Sequence, residues 1–193
     1  MSRKNNSMKS AIGVSKEVLF ALLEAIEDFG GEEEDIRRLL GDPKIKHDIV
    51  LRLLMGNPYL VDLNIDSIGG LLAAGKYRDS FISPLINDKN FVVGLLGPRL
   101  VWLMNFNDRF IVIDQILQKL DDWGFRPARM AELLALGAQQ PQLQTQSWIV
   151  SLGDSQDKRF GCLDHNGTYR GVRLVSVKDV ANVRCYKFAV VAK

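Results

Sequence analysis

The spacing of apolar positions changes period along this chain. Up to about residue 124, apolar residues mostly recur three and four apart; beyond it, they mostly alternate or form short runs. The first spacing puts one face of a helix against a core, and the second does the same for a strand. Ser15 caps a helix running to about Asp28, with Leu19, Leu22, Leu23 and Ile26 as its stripe and Gly30-Gly31 as its end. Glu32 to Leu40 reads as a second helix stopped by Gly41. Asp42-Pro43 opens a third, which turns Ile45, Ile49, Val50, Leu53 and Leu54 inward. Residues 1–14 are polar and read as a disordered tail. The expected organisation is a tail (1–14), a helical segment of about three short helices (15–57) and an α+β domain (58–193) whose end, 147–193, is rich in strand.

Within that domain, Tyr59, Val61, Leu63 and Ile65 alternate with other residues as a strand does. Asp66 or Ser67 caps a short helix that ends near Gly75. Residues 80–90 are irregular, Gly97-Pro98 is a turn, and Leu100 to Phe106 is a buried strand. A helix with Ile116, Leu117 and Leu120 inward closes at Trp123-Gly124. Phe125-Arg126 is extended, because a residue before proline is pushed out of the helical region. Pro127 is expected in the first turn of a helix that buries Met130, Leu133, Leu134 and Leu136 and stops at Gly137. The glutamine-rich stretch 139–146 reads as a loop. Trp148 to Leu152 reads as a buried strand. Asn166-Gly167 lies between two strand-like segments, the strongest short hairpin signal. Cys185 to Val191 is the last strand. The class is α+β, with a small, mainly antiparallel sheet flanked by two helices in the last part.

Two resemblances follow from these residues. Gly124-Phe-Arg-Pro-Ala-Arg-Met-Ala-Glu132-Leu133, lying between two helices, together with the closing Tyr186-Lys-Phe-Ala-Val-Val191, resembles the C-type-lectin-like fold over roughly 98–193. Ala73-Ala-Gly-Lys-Tyr77, Lys89-Asn-Phe91, Glu132-Leu-Leu-Ala-Leu-Gly137 and Ile149-Val-Ser-Leu-Gly153 are similar to a group of small bacterial proteins with no assigned function, over roughly 60–193. The second implies no activity. The first implies a fold without its calcium chemistry, because the lectin triplets that carry carboxylates are missing and Gln140-Pro141-Gln142 supplies none. Sulfatase-activating oxidases resemble the same fold and use a cysteine pair, which directs attention to Cys162 and Cys185.

Composition narrows the classes. Hydrophobic content of 47% and charged content of 25% are those of a globular chain, and the net charge of +2 does not call for nucleic acid or an anionic membrane. No apolar run reaches the ~18 residues of a membrane span. The start lacks the apolar core of an export signal, so the expected compartment is the cytoplasm. Charge is uneven: Glu24, Glu27, Glu32, Glu33 and Glu34 make the early helices acidic, while Arg170, Arg173, Arg184 and Lys187 make the end basic. In the early helices, Lys44, Lys46 and His47 are the only base-reading candidates of a helix-turn-helix. There is no phosphate loop, dinucleotide fingerprint or four-ligand metal pattern, so no cofactor is expected.

Cys162, His165 and Cys185 could make a cysteine-based enzyme, but their spacing matches no signature; one cysteine packed in a strand, one turn histidine and a second cysteine in the sheet explain them as well. The leading expectation is a non-catalytic binding or structural module whose partner is an unidentified protein or other macromolecule. Its candidate binding residues are Arg126, His165, Asn166, Arg170 and Arg173, and its candidate loops are 153–160, 164–167 and 176–184. Arg126 also has a structural reading, an ion pair with Glu132. Nucleic-acid binding through the basic end is the remaining alternative.

Overall fold

A computed structural model of the chain describes residues 24, 30, 32, 34, 35, 38, 41, 56–106, 112–176 and 186–193. The chain forms two compact units, Met1–Leu53 and Leu54–Lys193. Of the first, Glu24, Glu34, Asp35, Arg38 and Gly41 are helical, so Gly41 belongs to a helix rather than stopping one. The rest of the expected N-terminal helices, with His47, lies outside the described residues. So does Cys185.

The second unit mixes helices and strands, as the α+β class requires. Its strands are β1 (Tyr59–Leu63), β2 (Gly97–Met104), β3 (Phe125–Pro127), β4 (Trp148–Gln156), β5 (Arg159–His165), β6 (Arg170–Ser176) and β7 (Tyr186–Ala192). Among the described residues its helices are α1 (Ile68–Gly75), α2 (Ile113–Asp122), α3 (Met130–Gln139) and α4 (Pro141–Gln146), with a 3-10 turn at Asp79–Phe81. The strands make one sheet in the order β1-β2-β7-β4-β5-β6. All these pairings are antiparallel except β4 with β7, which is parallel. β3 pairs antiparallel with the end of β7, opposite Val190–Ala192, while β4 pairs with its start, opposite Tyr186–Phe188.

Alternation along the strands builds a core on each face. On one face α1, α3 and α4 cover Val61, Leu63, Val101, Ile149, Leu163, Val172 and Val191. On the other, Ile116 and Leu120 of α2 cover Trp102, Met104, Val150, Cys162, Phe188 and Val190. α3 is apolar nearly all round and buried from Met130 to Gly137, so it packs as the central helix.

Several boundaries differ from the sequence expectation, each for a physical reason. Gly97-Pro98 is not a turn but the start of β2, with Pro98 opposite Asp62. Asp62 turns its backbone away from β2: its N–H donates to Gln139 Oε1 at 3.0 Å and its C=O accepts from Gln139 Nε2 at 2.7 Å. That pair therefore asks no N–H of the proline. Pro127 ends β3 rather than opening a helix. α3 starts at Met130, where Glu132 reaches back to accept from Arg129 N–H at 2.8 Å. Gly137 does not stop α3, which runs on to Gln139. Its role is close packing, since a Cβ there would lie 2.1 Å from Tyr77 Oη. The glutamine-rich loop is the helix α4, with Pro141 at its first turn. The hairpin tip is a four-residue loop at 166–169 rather than at the expected 164–167: His165 pairs with Arg170, and Asn166 N–H donates to Tyr169 O at 3.2 Å.

The β3–α3 corner is pinned at Ala128. Its N–H donates to Ala189 O at 2.9 Å, and its C=O accepts from Gly153 N–H at 3.0 Å and from the Ser151 hydroxyl. A Cβ on Gly153 would sit 2.4 Å from that carbonyl oxygen, where no side chain fits. We expect Gly153→Ala to destabilise the protein by roughly 1–3 kcal/mol, the usual range for forcing atoms into a packed site. A lowered urea midpoint with an unchanged slope checks this; an unchanged midpoint contradicts the corner as described.

Candidate functional site

The β5–β6 hairpin brings most of the expected binding residues to one place. β6 is flanked on its outer side by the segment 78–83. Arg78 N–H donates to Arg170 O at 3.2 Å, Ser83 N–H donates to Val172 O at 2.9 Å, and Ile82 bridges Val172 in parallel. Between this segment and the hairpin lies an open cleft of about 480 Å3. Phe81, Trp148 and Tyr169 supply its apolar walls, and Asp164, His165 and Arg173 its polar ones. That volume lies inside the ~300–1,000 Å3 range of ligand pockets, and aromatic walls with few polar groups are their usual make-up.

The cleft follows from strand register. Asp164 is opposite Gly171, and Cys162 is opposite Arg173. Alternation places Cys162, Asp164 and Arg173 on the α2 side of the sheet. Gly171 carries no side chain, which makes room for its neighbours: a Cβ there would lie 2.6 Å from Asp164 Oδ1 and 3.0 Å from Phe81 Cβ. Arg173 stacks over the Trp148 ring, 4.4 Å from its centre, and its Nε lies 2.9 Å from Asp164 Oδ2. The Nε–H points off that line and makes no aligned hydrogen bond, so the contact is one of charge. At the mouth, Phe81 stacks on Tyr169 with ring centres 6.0 Å apart, and Arg78 covers the Tyr169 ring at 3.7 Å.

The hairpin itself is held from behind by a buried amide. Gln144 of α4 is fully buried; its Nε2 donates to Asp164 O and to Gly171 O, and its Oε1 accepts from Arg170 Nε at 3.1 Å. Arg170 also donates to Gly137 O and covers the Tyr77 ring at 4.9 Å. Arg170 therefore faces the helices and braces the hairpin instead of the cleft. Asn166 does reach the cleft, but its Oδ1 already accepts from Thr168 and Tyr169 N–H groups at 3.2 and 2.8 Å. His165 Nδ1 accepts from Gly167 N–H at 3.2 Å, which leaves Nε2 for a ligand. Arg126 is elsewhere, at the far end of β7 and on the opposite face. It makes the fork with Glu132 expected of it, at 2.6 and 2.9 Å, and this bonding raises its pKa further. Of the five candidates, three line the cleft, one supports it and one lies apart.

Trp148, Phe81 and Gln144 belong to this region without having been singled out as binding residues. Trp148 read as core because it opens an apolar run. Phe81 sits in a stretch with no period at all. Gln144 was hidden in a polar segment that read as a loop.

Electrostatics separates the titratable groups. Burial raises the Asp164 carboxyl from its ordinary value, while Arg173, its own backbone N–H and His165 pull it back. Burial, and then the Asp164 charge, push the Cys162 thiol up to about 12. Cys162 is fully buried, its sulfur lies 3.6 Å from the Leu163 carbonyl oxygen, and burial outweighs the opposing effect of Arg173, so it holds its proton at neutral pH and offers no nucleophile. Among the described residues there is no cluster of metal-ligating side chains, and no helix is long and apolar enough to cross a membrane. No family model, curated protein or solved structure matches this chain.

Two outcomes are expected at Cys162. In a Cys185→Ser background, a thiol reagent near neutral pH reacts with Cys162 only on unfolding; rapid labelling of the folded protein contradicts its burial. The folded thiol titrates above the unfolded one, so the folded state binds the extra proton between the ordinary thiol range and about 12. Stability from this group is present below that window and is lost as pH rises through it. Urea midpoints measured from pH 8 to 10 should fall less steeply in Cys162→Ala, in the same background, than in its parent.

Proposed function

We propose that this chain is a non-catalytic binding module whose recognition surface is the cleft between residues 78–83 and the β5–β6 hairpin. One observation carries this reading: three aromatic side chains and an arginine–aspartate pair converge on one open cleft. The half-exposed Tyr169 and Phe81 offer apolar contact at the mouth, and the Arg173 terminal nitrogens and His165 Nε2 offer directed hydrogen bonds within. Aromatic side chains and arginine are the residues enriched at protein-binding surfaces. The partner class that fits is therefore a protein segment that places a side chain in the cleft.

Two alternatives have less support. A cysteine enzyme needs a thiolate, and Cys162 is buried and protonated. Nucleic-acid binding needs cations free for phosphates, whereas Arg170 bonds inward and Arg173 is neutralised by Asp164.

Affinity capture from a native lysate, read by mass spectrometry, should return a partner with the wild type that is lost with Tyr169→Ala plus His165→Ala. The same set of proteins retained by both, at equal thermal stability, removes the cleft as the recognition surface. Mixed oligonucleotides at low salt should show no binding; saturable, salt-sensitive binding would favour the nucleic-acid reading instead.

A further inference from the structure

A second cavity lies at the other end of β7, on the face covered by α3. Its volume is about 170 Å3, below the ~300 Å3 at which pockets take drug-sized ligands, so it suits a head group rather than a whole ligand. Three guanidinium groups line it: Arg99 from β2, Arg126 from β3 and Arg129 at the start of α3. Sequence separates Arg99 from the other two, and only the β2–β7–β3 pairing brings them together.

The cluster has one buried counter-ion, and it is saturated. Glu132 takes the Arg126 fork on both oxygens, accepts from Arg129 N–H, and lies 3.9 Å from Arg99 Nε. Asp154, which accepts from Met130 N–H at 2.9 Å, is the next carboxylate. Three positive groups against these two negative ones leave one positive charge over. Arg99 spends its terminal nitrogens on Pro98 O and Leu95 O, which fixes the 95–98 segment beside the cavity. Arg129 differs: its side chain is exposed and has no partner among the described residues, so its five N–H donors are uncommitted.

The rest of the lining is apolar. Leu63 and Val93 line the interior, and Leu95 forms the lip at 82% exposure. Beside it in the chain, Val92 is 77% and Leu96 52% exposed. A run of large apolar side chains left this open against a cationic pocket suits a ligand that is charged at one end and apolar at the other.

We propose that this cavity binds a phosphate monoester carried on an apolar chain, with the phosphate between Arg99, Arg126 and Arg129 and the chain along Val93 and Leu95. The Arg129 fork matches phosphate oxygens in pairs, Arg99 and Arg126 add positive charge beside it, and the buried Glu132 holds Arg126 in place before the ligand arrives. The site stands apart from the hairpin cleft, so the fate of either reading leaves the other intact.

The test uses the full chain and three probes: inorganic phosphate, dihexanoyl phosphatidate below its micelle concentration, and phosphatidylcholine vesicles containing phosphatidate. Calorimetric titration should show saturable binding of the soluble phosphatidate, at least tenfold tighter than inorganic phosphate and weaker at high salt. Arg129→Gln, which disturbs no described contact, should weaken it about tenfold, as expected for losing hydrogen bonds to a charged group. Leu95→Ser should bring the phosphatidate down to the affinity of inorganic phosphate. The proposal is overturned if the soluble phosphatidate does not bind, if inorganic phosphate binds equally well, or if Arg129→Gln leaves affinity unchanged. Binding to vesicles alone also overturns it and points to a bilayer surface rather than a pocketed head group.

Discussion

The Ala128 carbonyl accepts from both Gly153 N–H and the Ser151 hydroxyl, while the Ala128 N–H reaches Ala189. One residue therefore ties β4 to β7 at the point where they diverge, and it does so where the chain passes from strand to the central helix. β3 continues the line of β4 along β7, and α3 leaves from there directly across the sheet. If this tie slipped by a residue, alternation would carry the apolar positions of β4 from one face to the other. Both cores depend on it, because Ile149 faces α3 while Val150 faces α2.

The two cavities lie at opposite ends of β7 for the same reason. At its start, parallel pairing with β4 sets Trp148 beside Tyr186, whose rings are 5.6 Å apart, and Arg173 stacks over the Trp148 ring. At its end, β3 takes over the pairing and delivers Arg126 to Arg99 and Glu132. The ends of a sheet are where strands run out of partners and side chains lose their cover, so they are where polar groups can gather without interrupting the core.

The sequence carried the long periodic elements well. The stripe of α2, the buried face of α3, the alternation of β1 and the Arg126–Glu132 pair were all legible, because each depends on residues close in the chain. What failed was set by distant partners. Pro98 was readable as a turn residue until Gln139, forty-one positions on, proved to take up the backbone of Asp62 opposite it. Gln144 was readable as loop until its amide proved to satisfy two carbonyls and an arginine inside the fold. The cleft was half legible: the hairpin residues were marked by Asn166-Gly167, but Phe81 and Trp148 joined them only through strand order, which no local pattern encodes.

The Gln139 amide has a wider consequence. By taking the Asp62 N–H and C=O together, it plays the part of a neighbouring strand at the outermost margin of the sheet. At the opposite margin, the segment through Ile82 lies against β6 in the same role. Both borders are thus engaged by the protein's own groups, and a second molecule seeking to extend the ladder would have to displace them first. Such borders are the usual starting points of aggregation, and here a side chain of α3 and a short strap guard them.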